Sequence, residues 1–167
     1  MEQKEIPQRK VLSLMTVASP NRGSRLADIC VNMPETNRGS TRVLNAFGYN
    51  IASKRHFFEQ LTHKSVNELL PVREITSSFT RHASIVCHSP RSEWCTPLKL
   101  FYNIKAFKDF DLPSDGVVER DTQPYGDVIA ELNIDHFRQV GMFGERPRFV
   151  RLCDILADFF IQTQKQN

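Results

Sequence analysis

The chain is short of the residues from which catalytic loops are usually built. Seven glycines are spread over 167 residues. Neither the phosphate-cradling pattern G-x-x-x-x-G-K nor the nucleophile-elbow pattern G-x-S-x-G occurs, and H-E-x-x-H is absent as well. These absences exclude the common locally encoded sites for nucleotides, acyl transfer and zinc proteolysis. Cysteine is equally uninformative as a framework. Cys30, Cys87, Cys95 and Cys153 contain no C-x2-C pair, and the expectation is four reduced thiols and no bound cofactor. Long apolar runs are missing too. "MEQKEIPQRK" has no apolar stretch, and "ILADFFI" is short and carries Asp158, so neither a signal peptide nor a transmembrane segment is expected. A cytoplasmic location follows as an expectation, in a host cytoplasm or a virion if the source is viral.

What is present suits one folded body. The chain is 40% hydrophobic and 25% charged, and twelve Phe stand against three Tyr and one Trp, so the core is expected to be phenylalanine-rich. The reading divides the chain into a short basic arm over 1–10, a single α+β domain over 11–163 and a polar tail over 164–167. Net charge is +3 but uneven: residues 1–64 carry ten Lys and Arg against five Asp and Glu. That asymmetry tilts the expectation toward an anionic partner.

The tetrapeptide Asn-Arg-Gly-Ser occurs twice, at 21–24 and at 37–40, with Arg25 and Arg42 nearby. Around the copies, "VLSLMTVAS", "LADICVNM" and "VLNAFGYNI" have the β-branched content or the period of two expected of strands. The resulting expectation is a three-strand antiparallel meander with two similar turns at opposite ends, about 25 Å apart. From Ser53 the period changes. "SKRHFFEQLTHKSVNELLP" reads as an amphipathic helix with Phe57, Phe58, Leu61 and Leu69 on one face. "SSFTRHASIVCH", "PLKLFYNIKAF" and "GDVIAELNID" then read as strands, the last with Val128, Ala130, Leu132 and Ile134 on one side. "RPRFVRLCDILADFFIQ" closes the chain as a second helix, with a stripe of Phe149, Leu152, Cys153, Leu156 and Phe160. The expected fold class is therefore α+β: an antiparallel sheet with an N-terminal meander and two amphipathic helices.

Local clusters of reactive residues do not form standard sites. His82, Cys87, His88 and Cys95 supply zinc-binding atoms, but Cys87 and His88 point to opposite sides of a strand. "DFDLPSDGVVERD" fails as a calcium loop in either register and reads as a Leu-Pro-Ser-Asp-Gly turn. The neighbours Asp135 and His136 diverge on a strand and do not make a dyad. Metal ligands and catalytic residues are accordingly not assigned.

In layout, the basic "PQRK" segment, the aromatic-rich body and the Lys-laced "LKLFYNIKAFKDF" resemble the small matrix proteins of rhabdoviruses, especially plant-infecting ones. The resemblance implies a non-enzymatic, self-associating scaffold that binds a membrane's inner face and condenses a ribonucleoprotein. It carries over no functional residue. From charge alone, the candidate anion-binding residues are Arg9, Lys10, Arg22, Arg25, Arg38, Arg42, Lys54 and Arg55. The expected partners are nucleic acid or a ribonucleoprotein, an anionic membrane surface, and a second copy of the chain. Two alternatives are a small RNA-binding protein such as a viral silencing suppressor, and an enzyme whose site is assembled from distant residues.

Overall fold

The computed structural model describes residues 13–32, 51–69, 81–102, 112–144 and 146–165. The elements are β1 (Ser13–Val17), α1 (Arg25–Asn32), α2 (Ile51–Gln60), α3 (His63–Leu69), β2 (Arg81–His88), α4 (Thr96–Phe101), β3 (Asp127–Asn133) and α5 (Arg146–Lys165). The three strands lie in the order β1-β2-β3 and every pairing is parallel, with Ser13 opposite Arg81 and Ala83 opposite Asp127. This overturns the expected antiparallel α+β meander. The domain is α/β, because parallel neighbours cannot be joined by a tight turn and need the long crossovers that the helices supply.

The correction begins at the first Asn-Arg-Gly-Ser. It joins β1 to α1, a strand-to-helix turn and not a hairpin. "LADICVNM" satisfies a period of two, but its buried residues are Leu26, Ala27 and Cys30, the spacing of a helical face. The second copy, with Arg38 and Arg42, lies outside the described residues, as do Arg9 and Lys10 of the basic arm. The expected single helix from Ser53 is two. Thr62 separates them, its Oγ1 accepting the backbone N–H of Ser65 at 3.1 Å and so capping α3.

The "PLKLFYNIKAF" strand is also corrected, since its first residues belong to α4. Pro97 suits the opening turn, and Leu98, Phe101 and Tyr102 are buried while Leu100 is 56% exposed. In a strand Leu98 and Leu100 would share one side; the helical spacing separates them. The rest of the Lys-laced segment, from Asn103, lies outside the described residues.

β2 and β3 fall within the segments read as strands. Ala130, Leu132 and Ile134 of the expected β3 face pack with Ile85 and Cys87 against Leu152, Ile155 and Leu156 of α5. A second apolar cluster joins Leu26, Ala27 and Cys30 of α1 to Phe58, Trp94, Leu98, Phe101 and Tyr102. α5 itself is where the sequence places it and continues to Lys165, two residues into the expected polar tail. Its buried side is rotated from the expected stripe, toward Leu152, Phe159 and Thr163, with Cys153 exposed and Phe160 46% exposed.

Candidate functional site

At the carboxyl ends of the parallel strands the loops leave a crevice, in a sheet whose order β1-β2-β3 has no reversal. β1 leaves the ladder at Ala18, a non-glycine residue at φ 44° whose N–H still donates to the Ile85 carbonyl at 3.0 Å. β1 pairing stops there, so the Cys87 N–H and C=O, two residues further along β2, have no strand partner on that side. The fully buried Gln123 carboxamide replaces it. Its Oε1 accepts the Cys87 N–H at 2.7 Å and its Nε2 donates to the Cys87 carbonyl at 2.8 Å.

The following turn is tightly committed to the protein's own acceptors. The N–H groups of Arg22, Gly23, Ser24 and Arg25 donate to Thr122 O, Pro20 O, Leu61 O and Glu119 Oε1. Gly23 has φ 95°, and a Cβ there would lie 2.4 Å from the His63 Cα. A phosphate nest needs these N–H groups free, and here all four are used. The start of α1 already holds an anion, the Glu119 carboxyl, whose pKa burial raises against the lowering effect of its backbone hydrogen bonds.

Asp115 organises the opposite side of the crevice. It is fully buried, and its Oδ1 accepts the N–H groups of Val117 and Val118 at 2.8 and 2.7 Å. Its Oδ2 accepts from Gln139 Nε2 at 2.8 Å and pairs with His136 Nδ1 at 2.8 Å. The His136 N–H donates to the Asp115 carbonyl, also at 2.8 Å. Burial works against a protonated ring, but the hydrogen bond and charge of Asp115, with Asp135 behind, hold the His136 pKa above the usual histidine value. Asp135 has a different task. Its carboxylate accepts the N–H groups of Cys95, Phe137 and Arg138 and pairs with the Arg138 guanidinium, fixing the turn that carries His136.

Between these two sides lies a cavity of about 350 Å³. Its wall is made by residues 17–20 at the end of β1, the start of α1, Phe57, Phe58 and Leu61 of α2 and its following turn, Val117 and Val118, and His136. The Asp115 contact takes Nδ1, so the ring nitrogen left to His136 is Nε2, which has no hydrogen-bond partner among the described residues.

The residues singled out for charge lie elsewhere. Arg22 and Arg25 are exposed at the β1–α1 turn, and Lys54 and Arg55 are exposed on α2, where Arg55 Nε pairs with Glu59 at 3.1 Å. None of the four lines the cavity among the described residues. Asp115 and His136 were not singled out as a pair, because they are 21 positions apart and no fixed spacing joins them. Their only local marks are an Asp-Gly turn and a histidine just after an apolar strand. Among the described residues no three His, Cys, Asp or Glu side chains gather as a metal site. Their helices include none long and apolar enough to cross a membrane. No protein-family model and no curated protein matches the chain.

Proposed function

We propose that Asp115 and His136 are the acid/base pair of a hydrolytic site acting on an ester or related acyl compound held in the cavity. His136 Nε2 takes a proton from a water molecule as the water oxygen bonds to the acyl carbon. The same proton then passes to the leaving oxygen as the ester bond breaks. Asp115 keeps the proton-bearing nitrogen of the neutral ring at Nδ1 and stabilises the imidazolium that forms. The observation that carries this reading is the 2.8 Å contact between a fully buried, four-fold hydrogen-bonded carboxylate and a histidine in a cavity wall.

Hydrolysis of p-nitrophenyl butanoate tests the reading. The rate is expected to rise with pH as His136 loses its proton, and to fall at least about a hundredfold in His136→Ala. A rate no higher than buffer, or one unchanged in His136→Ala, overturns it.

A second reading keeps the non-enzymatic scaffold that binds an anionic surface and self-associates. Its support is the exposure of Arg22, Arg25, Lys54 and Arg55 on elements joined by the packing of α1 on α2. It requires RNA or anionic liposomes to bind near physiological ionic strength, about 0.15 M. Binding should weaken when all four are replaced by Ala, and no binding to either ligand removes this reading.

A further inference from the structure

We infer that the cavity beside His136 receives an apolar acyl chain of medium length, its carbonyl end at the imidazole and its tail toward α2. The inference rests on the acid/base reading for the position of the carbonyl end, and on the cavity wall for everything else. A volume of about 350 Å³ equals the share of about a dozen water molecules in the liquid. That is room for a chain of several methylenes.

The chemistry of the wall is one-sided. Ala18, Pro20, Ala27, Phe58, Leu61 and Val118 are apolar. The two hydroxyls in the wall are already directed to backbone oxygens, Ser24 Oγ to Val117 O at 3.2 Å and Ser19 Oγ to Val17 O at 3.4 Å. His136 is the one titratable side chain among the described residues of the wall. A ligand with one polar end and an otherwise uniform apolar body matches that distribution; a sugar, nucleotide or peptide would bury polar groups without partners. Phe57, which also lines the cavity, is 55% exposed and carries the apolar surface outward to solvent.

The test uses the whole chain and the sodium salts of acetate, butanoate, hexanoate, octanoate and hexadecanoate, followed by calorimetry and by the NMR signals of the His136 ring. Affinity is expected to rise about three- to fourfold per added methylene up to octanoate, and to level off once the chain outgrows the cavity. Bound octanoate should also raise the His136 pKa, because its carboxylate lies beside the imidazolium. Ala27→Phe, which fills the cavity, should weaken octanoate at least tenfold and leave acetate unchanged. Leu61→Ala covers the case in which that variant does not fold. It enlarges the cavity and should move the plateau to longer chains.

Equal affinity for acetate and octanoate, or octanoate binding that leaves the His136 ring signals unmoved, overturns the inference. Failure of the acid/base reading looks different. In that case p-nitrophenyl butanoate is hydrolysed no faster than in buffer, or equally fast by His136→Ala, whatever the chain-length series shows.

Discussion

Glu119 occupies the place at the start of α1 that a bound anion takes in other strand-to-helix turns. Its Oε1 accepts the Arg25 N–H at 2.8 Å, while its buried Oε2 has no hydrogen-bond partner among the described residues. The residue therefore combines a useful cap with the cost of burying an ionisable group. Burial raises its pKa, so the folded chain holds this proton to higher pH than the unfolded chain does. The associated stability is complete below the unfolded pKa and is lost as pH rises through the folded one. Glu119→Gln retains an acceptor without the charge, and its stability at neutral pH should equal or exceed that of the parent. Glu119→Ala leaves the Arg25 N–H unsatisfied and should cost about 1–2 kcal/mol. Urea unfolding of both variants checks this, and equal losses would show that the carboxyl does not act as a cap.

Among the elements, α5 separates what a helical pattern says from what the sheet selects. Its apolar residues cover far more than one face, so the pattern identifies a helix without fixing which side is buried. The sheet takes Leu152 and Phe159 and leaves Phe160 outward. Leu152→Ala should therefore cost about 2–5 kcal/mol, as a cavity in the core does, while Phe160→Ala should change stability by about 0.5 kcal/mol or less. Chemical denaturation of the two variants gives the comparison directly. A larger loss for Phe160→Ala would restore the stripe read from sequence. α1 makes the same point in reverse. "LADICVNM" fits both periods, and it is helical because its start is held by Leu61 and Glu119, residues far along the chain.

For the whole molecule, the parallel sheet is what gives the site its place. Three strands running the same way put Ala18, Ser89 and Ile134 at one end, and the Ser89 N–H bonded to the Ser114 carbonyl at 3.0 Å draws the Asp115 turn to that end too. The resulting pair links stability to pH with a definite sign. Burial opposes protonation of His136 but Asp115 outweighs it, so the folded pKa lies above the unfolded one. The stabilisation is complete below the unfolded pKa and disappears as pH rises through the folded value. Melting temperature should fall over that window in the parent chain and stay level there in His136→Gln. The hydrolytic rate proposed above should move the opposite way, rising as the ring becomes a base. A melting temperature with the same slope in both proteins would mean that His136 titrates alike folded and unfolded.

The sequence alone determined the elements whose local pattern admits one solution. β2 is legible from β-branched and aromatic content, β3 from an apolar alternation and α5 from a long helical stripe. It also placed a turn at Asn21–Ser24, but it put Asp135 and His136 on a strand, whereas β3 ends at Asn133 and the two residues lie in the turn that follows it. It did not decide strand direction, because a parallel and an antiparallel strand bury similar residues and differ in connection. Nor did it decide the state of "LADICVNM" and "PLKLF", where short apolar runs fit two periods. The joining of Asp115 to His136, the replacement of a strand by Gln123 and the filling of the α1 terminus by Glu119 are contacts between residues distant in the chain. They depend on how the crossovers bring loops to one end of the sheet, and only the tertiary structure supplies that.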